Sequence, residues 1–225
     1  MAYTIHPLLE QGSPEWLALR RGRITGSRFK DARDRTAKGL PSAKCSLYAM
    51  DVARERCGGK SADVYQNAAM RFGSEQEPLA RAAYEKATGN VVFEVGFVTD
   101  AEGYFGVSPD GLVDDDGVVE IKTMVSSDTL FRAVVDGDIS AYIDQCNGYL
   151  WMLGRQWVDL VLWAPDLVDL GLAMKVIRLE RDEEAIAALE ADLLKFLAMV
   201  QENESKLRHA ACTHPANAGQ LLQAA

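Results

Sequence analysis

Much that would assign a class is missing from this sequence. No run approaches about 18 consecutive apolar residues, so no membrane-spanning helix is expected. Met1 to Glu10 contains no basic segment leading into an apolar run, so no secretory signal is expected and the protein reads as cytoplasmic. Four cysteines, Cys45, Cys57, Cys146 and Cys212, are scattered without C-x-x-C spacing, which favours free thiols over a disulfide framework. Cys212-x-His214 has no second pair of ligands to make a zinc site. The three histidines, His6, His209 and His214, have no partners arranged for a nucleophilic triad. No Walker A loop, dinucleotide fingerprint, internal repeat or low-complexity tract is present.

What is present is an ordinary globular composition, 48% hydrophobic and 25% charged over 225 residues, enough for one domain with a real core. The net charge of −9 argues against a polyanionic partner until its distribution is read. Residues 1–60 carry 12 Lys and Arg against 6 Asp and Glu, a balance of +6, and the remaining residues balance at −15. A basic third on an acidic body suits a surface that meets a polyanion. A solvated basic helix with no partner is the plainer alternative.

The chemistry concentrates in Ser108-Pro109-Asp110-Gly111, followed by Glu120-Ile121-Lys122. Between them, Leu112-Val113, the turn Asp114-Asp115-Asp116-Gly117 and Val118-Val119 read as a β-hairpin. Alternation along the second strand sends Glu120 and Lys122 to one face and Ile121 to the other. Pairing across the hairpin can bring Asp110 beside them. Two carboxylates form a hard oxygen site suited to Mg²⁺ or Mn²⁺, and a lysine there can orient or activate water. Asp114 to Asp116 are turn residues on this reading, not ligands.

Upstream, Ser13-Pro14-Glu15-Trp16 opens a helix, with Trp16 and Leu19 inward. Arg20 to Ser27 then reads Arg-Arg-Gly-Arg-Ile-Thr-Gly-Ser. Gly26-Ser27 is a candidate helix start, and its donors with the nearby arginines suit a phosphate. Ser46 to about Gly58 reads as an amphipathic helix with Leu47, Met50, Val52 and Ala53 inward. A helical stretch begins at Asn67. Another runs from Ser74 to Ala87 on an inner stripe of Leu79, Ala83 and Tyr84. Glu77 in its first turn is either a capping glutamate or a ligand. Strands are expected at 91–98, 104–107, 157–163 and 172–179, with a helix at 140–153. A long helix from Asp182 to about Leu207 buries Ile186, Leu189, Leu193, Leu197 and Val200. The fold class is α/β or α+β: a central mixed sheet of about five strands flanked by helices. Residues 1–207 form a single domain on this reading, and 208–225 a C-terminal tail or oligomer contact.

The Pro109-Asp110 … Glu120-x-Lys122 pattern resembles the PD-(D/E)xK nuclease signature, whose core is restriction-endonuclease-like. The match extends further. Trp16 with Leu19 to Ser27, then Phe72 to Glu77, then the hairpin motif, then Tyr142-Ile143-Asp144-Gln145 with Trp151, stand in the order of the lambda-type phage exonucleases (alkaline exonucleases, or YqaJ-type viral recombinases). The resemblance covers about residues 13–182.

It implies processive 5′→3′ hydrolysis of the 5′-phosphorylated strand of linear duplex DNA, leaving a 3′ single strand for recombination by annealing. It implies a phage or prophage protein in a bacterial host cell, a homotrimeric ring around the DNA and a single-strand annealing partner. It also implies a catalytic set of Asp110, Glu120, Lys122, Glu77 and Gln145. Asp110 would bridge two Mg²⁺ or Mn²⁺ ions, Glu120 and the backbone carbonyl of Ile121 would hold the first, and Glu77 would complete the site directly or through water. Arg20, Ser27 and Ser108 match the family's pocket for the terminal 5′ phosphate. Met70 stands where the family has an apolar residue beside the end base pair, or it is simple core. After Gln145, Cys146-Asn147-Gly148 departs from the family's polar and aromatic continuation. Two other readings remain: a PD-(D/E)xK endonuclease of restriction or repair type, and a catalytically idle DNA-end-binding scaffold. An iron–sulfur RecB-like relative is disfavoured, since the C-terminal region offers only Cys212.

Overall fold

Local side-chain capping explains several of the helix starts. Ser13 accepts from the Trp16 N–H at 3.1 Å, Ser42 from Cys45 at 3.1 Å, and Asp182 from Glu184 and Ala185 at 2.9 and 3.0 Å. The computed structural model describes residues 2–7, 9–61 and 68–213. In chain order they form strand β1 (Tyr3–His6), helix α1 (Pro14–Arg20), strand β2 (Ile24–Thr25), a 3₁₀ turn Gly26–Arg28, and helices α2 (Phe29–Arg33), α3 (Ala43–Arg56) and α4 (Ala68–Thr88). Strands β3 (Phe97–Asp100), β4 (Phe105–Val107), β5 (Gly111–Val113) and β6 (Gly117–Thr123) follow. Helix α5 (Ser127–Leu130) runs into a π-helical turn, Phe131–Val135, before helix α6 (Ile143–Leu153), strands β7 (Trp157–Trp163) and β8 (Met174–Glu180), and helix α7 (Glu183–Thr213). Asn67, the expected start of a helical stretch, lies outside the described residues, as do His214 and the rest of segment 214–225.

The class is the expected mixed α/β, but the strands divide into two four-stranded sheets, β1-β3-β4-β2 and β5-β6-β7-β8. Each is mixed: β2 with β4 and β6 with β7 are parallel, and the other neighbours are antiparallel. The β6–α6–β7 crossover supplies the long connection a parallel pair needs. Both faces of the β6–β7 sheet are covered. On one face, Val118, Leu160 and Leu162 join the large core built with α2, α3, α6 and α7; on the other, Val119, Ile121 and Val161 pack on Ala80 and Tyr84 of α4. Each fully buried apolar side chain contributes roughly 1.5–3 kcal/mol. This two-sided burial fixes the register of β6, and so the face from which Glu120 and Lys122 project.

Several local expectations change. α3 starts at Ala43, not Ser46, because Ser42 is its cap. Its buried stripe is Cys45, Tyr48, Ala49, Val52 and Ala53, which leaves Leu47 and Met50 exposed. Small alanines on that stripe let α3 lie close against α7, where Tyr48 and Phe196 meet at 5.0 Å between ring centroids. α4 is one continuous helix through Gly73 and Pro78, and Leu79 points outward; Ala80 and Tyr84 take the inner positions. Tertiary docking overrides the local break signals there. The 91–98 strand reduces to β3 and a single Phe93–Leu112 bridge. α7 continues past Leu207 to Thr213, while its predicted stripe of Ile186, Leu189, Leu193, Leu197 and Val200 is buried throughout. Among the described residues no helix is long and apolar enough to cross a membrane.

Candidate active site

The hairpin forms as read. β5 and β6 pair antiparallel around a turn at 114–116, where Asp114 takes a positive φ of 43°. Arg155 ties that turn down through the carbonyls of Val113, Asp114 and Gly117 at 3.2, 2.8 and 2.8 Å. The three turn acids are exposed and contribute nothing to the site. Asp110, just before β5, accepts from the Ile121 N–H through Oδ2 at 2.6 Å. That bond sets the Asp110 carboxylate against β6.

Glu120 is 2% exposed and fully engaged. Its Oε1 accepts from Lys122 Nζ at 2.5 Å and from Gln145 Nε2 at 2.7 Å, and its Oε2 accepts from the Tyr149 hydroxyl at 2.5 Å. Gln145 also donates to Tyr149 at 2.6 Å. Glu77 enters from α4 and pairs with Arg81, one helical turn on, at 2.6 Å. All nine side chains singled out by the sequence line one cleft of about 770 Å³: Asp110, Glu120, Lys122, Glu77, Gln145, Arg20, Ser27, Ser108 and Met70, with Ile121 beside them.

The electrostatics of the cleft follow from crowding. Burial pushes the Asp110 carboxyl well above the usual carboxylate range, and the charges of Glu120 and Glu77 push it further. Burial also raises Glu77, partly countered by Arg81 and reinforced by Glu120. Burial alone would lower Lys122, but Glu120 and Asp110 outweigh it and hold the ammonium protonated above its ordinary value. A raised carboxyl pKa means that Asp110 favours folding in its neutral form. That contribution is complete below the unfolded-state value and is lost as pH rises through the raised folded value. Asp110→Asn is therefore expected to raise the unfolding midpoint in EDTA at pH 7, by about 2–4 °C for each kcal/mol recovered. The gain should vanish near pH 4, and a loss of stability at pH 7 would contradict the crowding.

At the other end of the cleft, Arg20 donates through Nη2 to Ser27 Oγ at 2.8 Å and to Thr25 Oγ1 at 3.2 Å, with its guanidinium 4.7 Å from the Trp16 ring. Other cations of the basic third are paired with acids: Arg28 and Lys44 with Asp31, Arg33 with Asp144 and Asp192, Arg56 with Glu204. No carboxylate pairs with Arg20 among the described residues, and burial depresses its pKa. Ser108 is held by the Gly96 carbonyl, to which its hydroxyl donates at 2.5 Å and to which Trp16 donates through Nε1 at 3.3 Å. A Cβ on Gly96 would stand 2.3 Å from the Leu9 carbonyl oxygen, so only glycine fits there. Met70 is 46% exposed at the cleft, which sets simple core packing aside for it.

Two residues escaped the sequence reading. Tyr149 and Arg81 each lie four residues after an assigned one, Gln145 and Glu77, and so share its helix face. That spacing was the available signal. Cys146 and Gly148, doubtful in the sequence, are core: Cys146 is fully buried, and a Cβ on Gly148 would meet the Phe29 ring at 2.4 Å.

The donor set fits a divalent cation in its chemistry. Crowded carboxylates repelling one another ask for positive charge, and they are hard oxygen donors. Among the described residues, no ready-made group of three or more His, Cys, Asp or Glu is gathered around one point.

A mixed α/β core with Asp110, Glu120 and Lys122 on a hairpin defines a nuclease core of the PD-(D/E)xK class. Residues 15–156 match the model of the YqaJ-like viral recombinase domain, and the chain belongs to that family. It is similar to the crystal structure of an alkaline exonuclease, LHK-Exo, from Laribacter hongkongensis, with 35% identity over 89% of this chain and 98% of that one, and a TM-score of 0.78. The structure of LHK-Exo in complex with dAMP matches at 34% identity and a TM-score of 0.80, again over 89% and 98% of the two chains. A phage-related exonuclease from Haemophilus somnus 129PT shares the fold, at 15% identity and a TM-score of 0.63, over 84% of this chain and 96% of that one. No curated protein sequence matches the chain.

Proposed function

We propose that the protein is a metal-dependent 5′→3′ exonuclease on linear double-stranded DNA. It would hydrolyse the 5′-phosphorylated strand processively and leave a 3′ single strand for recombination by annealing. One observation carries the reading: the Asp110–Glu120–Lys122 set and the Arg20–Ser27 pair open into the same cleft. A strand whose terminal phosphate meets Arg20 thus reaches the carboxylates within one cavity. The likeness to LHK-Exo, an alkaline exonuclease, supports it.

Asp110, Glu120, the Ile121 carbonyl and Glu77 would hold Mg²⁺ or Mn²⁺. When bound, such ions supply Lewis-acid polarisation of the phosphate, a more acidic water and charge relief for the leaving oxygen. The chain's own groups do the rest. Lys122, held protonated in the metal-free site by Glu120 and Asp110, presents its side-chain nitrogen to the attacking water or to a phosphate oxygen. Gln145 and Tyr149 keep Glu120 aimed by hydrogen bonds to both of its oxygens. Arg20 takes the terminal phosphate in place of the carboxylate it lacks. Ser27, whose oxygen already accepts from Arg20, has its hydroxyl proton to give to the same anion. Because a proton must leave Asp110 before a cation binds, activity should climb with pH on the acid side.

The wider reading follows the family: a homotrimeric ring around the DNA, an annealing protein as partner, and a cytoplasmic site of action in a bacterial host. The basic N-terminal third supports a DNA-facing surface. An end-labelled linear duplex should be shortened only with Mg²⁺ or Mn²⁺ and not with EDTA, while covalently closed circles are spared. Rapid cutting of circles would favour the endonuclease alternative. Metal-independent binding without nucleotide release would favour the scaffold.

A further inference from the structure

Adjoining the cleft at Gln11, Ser74, Glu77 and Asp110 is a second pocket of about 490 Å³. Glu10 and Glu94 also line it, and Arg81 is the one cation among its described lining residues. Arg81 is deeply set, with 11% of its side chain exposed. Its Nη2 donates to Glu77 Oε1 at 2.6 Å and reaches the main-chain carbonyl of Asp110 at 3.4 Å; its Nη1 meets Glu94 Oε1 at 2.6 Å. Its Nε is buried without a hydrogen-bond partner.

These contacts are unequal. The Glu94 side chain is 73% exposed, so that pair is a surface contact of little consequence. The inner contacts join α4 to the turn that carries Asp110, two segments far apart in the chain. Both inner contacts come from one nitrogen, Nη2, which stands a bond further from the backbone than a lysine Nζ would, while Nη1 turns to Glu94.

We infer that Arg81 is a positioning residue for hydrolysis: it fixes Glu77 and the Asp110 main chain relative to each other, so that the two carboxylates act as one cation-binding set. It touches neither the DNA nor the reacting atoms. The inference rests on the nuclease reading above and adds to it a residue acting through Glu77.

Arg81→Ala should lower kcat on linear duplex about 10²-fold with KM for DNA within about threefold, because the substrate end of the cleft is untouched. Arg81→Lys should recover less than a tenth of that loss. In a Glu77→Ala background, Arg81→Ala should cost no more than about twofold further, since the two act as a unit. Glu94→Ala should leave kcat within about twofold. Calorimetric titration of Mn²⁺ into the DNA-free protein gives a readout independent of turnover: Arg81→Ala and Arg81→Lys should weaken binding about tenfold, as should Glu77→Ala. Arg81→Lys carries the test if the alanine variant does not fold. Additive losses in the Glu77→Ala background, or full activity and Mn²⁺ affinity in Arg81→Lys, overturn the inference. A wild-type protein that leaves linear DNA intact overturns the nuclease reading instead, and the Mn²⁺ titrations still judge Arg81.

Discussion

Replacing Lys122 or Asp110 by alanine is expected to cut kcat on a linear, 5′-phosphorylated duplex about 10³-fold or more with Mg²⁺ present. For Lys122 the argument begins with its partner. Glu120 is 2% exposed, and Lys122 is its one cationic contact among the described residues. Removing the ammonium leaves a buried carboxylate unpaired, a change that costs about 3–5 kcal/mol when a pair is fully enclosed. A dead Lys122→Ala could then reflect misfolding, so the decisive comparison is Asp110→Asn. That variant removes a ligand charge while relieving the crowding with Glu120 and Glu77. It should be more stable than the wild type in EDTA and yet as inactive as Asp110→Ala. Loss of activity with a gain of stability separates chemistry from folding in a single protein. Turnover above a tenth of wild type in both Asp110→Asn and Lys122→Ala would sink the assignment of the site.

How far the sequence alone reached can be judged residue by residue. The hairpin was legible because its signals are local: a turn rich in Asp and Gly, and period-two alternation that put Glu120 and Lys122 on one face. Gln145 and the choice of Arg20 came by resemblance, whereas local pattern alone offered Ser27 with the nearby arginines as a phosphate site and left Glu77 a capping residue or a ligand. Their meeting in one cleft depends on the β6–α6–β7 crossover and on α4 docking behind β6, neither of which a linear pattern encodes. The division into two sheets was hidden for the same reason, because β2 pairs with β4 across some 80 residues. Leu47 and Met50 misled because large apolar residues suggest core, whereas the α3–α7 seam selects Ala49 and Ala53 for close approach. Tyr149 and Arg81 carried a usable helical spacing, but nothing in the sequence said that a phenol and a guanidinium would close the hydrogen-bond shells of Glu120 and Glu77.

The second large effect concerns the DNA end. A duplex with a 5′ phosphate is expected to be degraded about 10- to 100-fold faster, in kcat/KM, than one with a 5′ hydroxyl. The figure is the worth of a charge-assisted hydrogen bond, about 1.5–3 kcal/mol. Arg20 is the reason. It is half-buried, its hydrogen-bond partners among the described residues are two hydroxyls at 2.8 and 3.2 Å, and its pKa is depressed by desolvation, so an arriving phosphate supplies a countercharge that no described carboxylate gives it. Arg20→Ala should therefore bring the phosphate-to-hydroxyl ratio to within about twofold. It should do so by slowing the phosphorylated substrate and leaving the hydroxyl substrate nearly unchanged. Arg20→Lys keeps the charge but loses the fork, and should retain part of the ratio. Because the mutation also removes the contact with the Trp16 ring, a general loss of stability would slow both substrates together. The ratio cancels that loss, which makes it the quantity to measure. If Arg20→Ala slows both ends equally and the ratio persists, the terminal phosphate is held elsewhere, and the case for an end-dependent exonuclease over an endonuclease loses its structural basis.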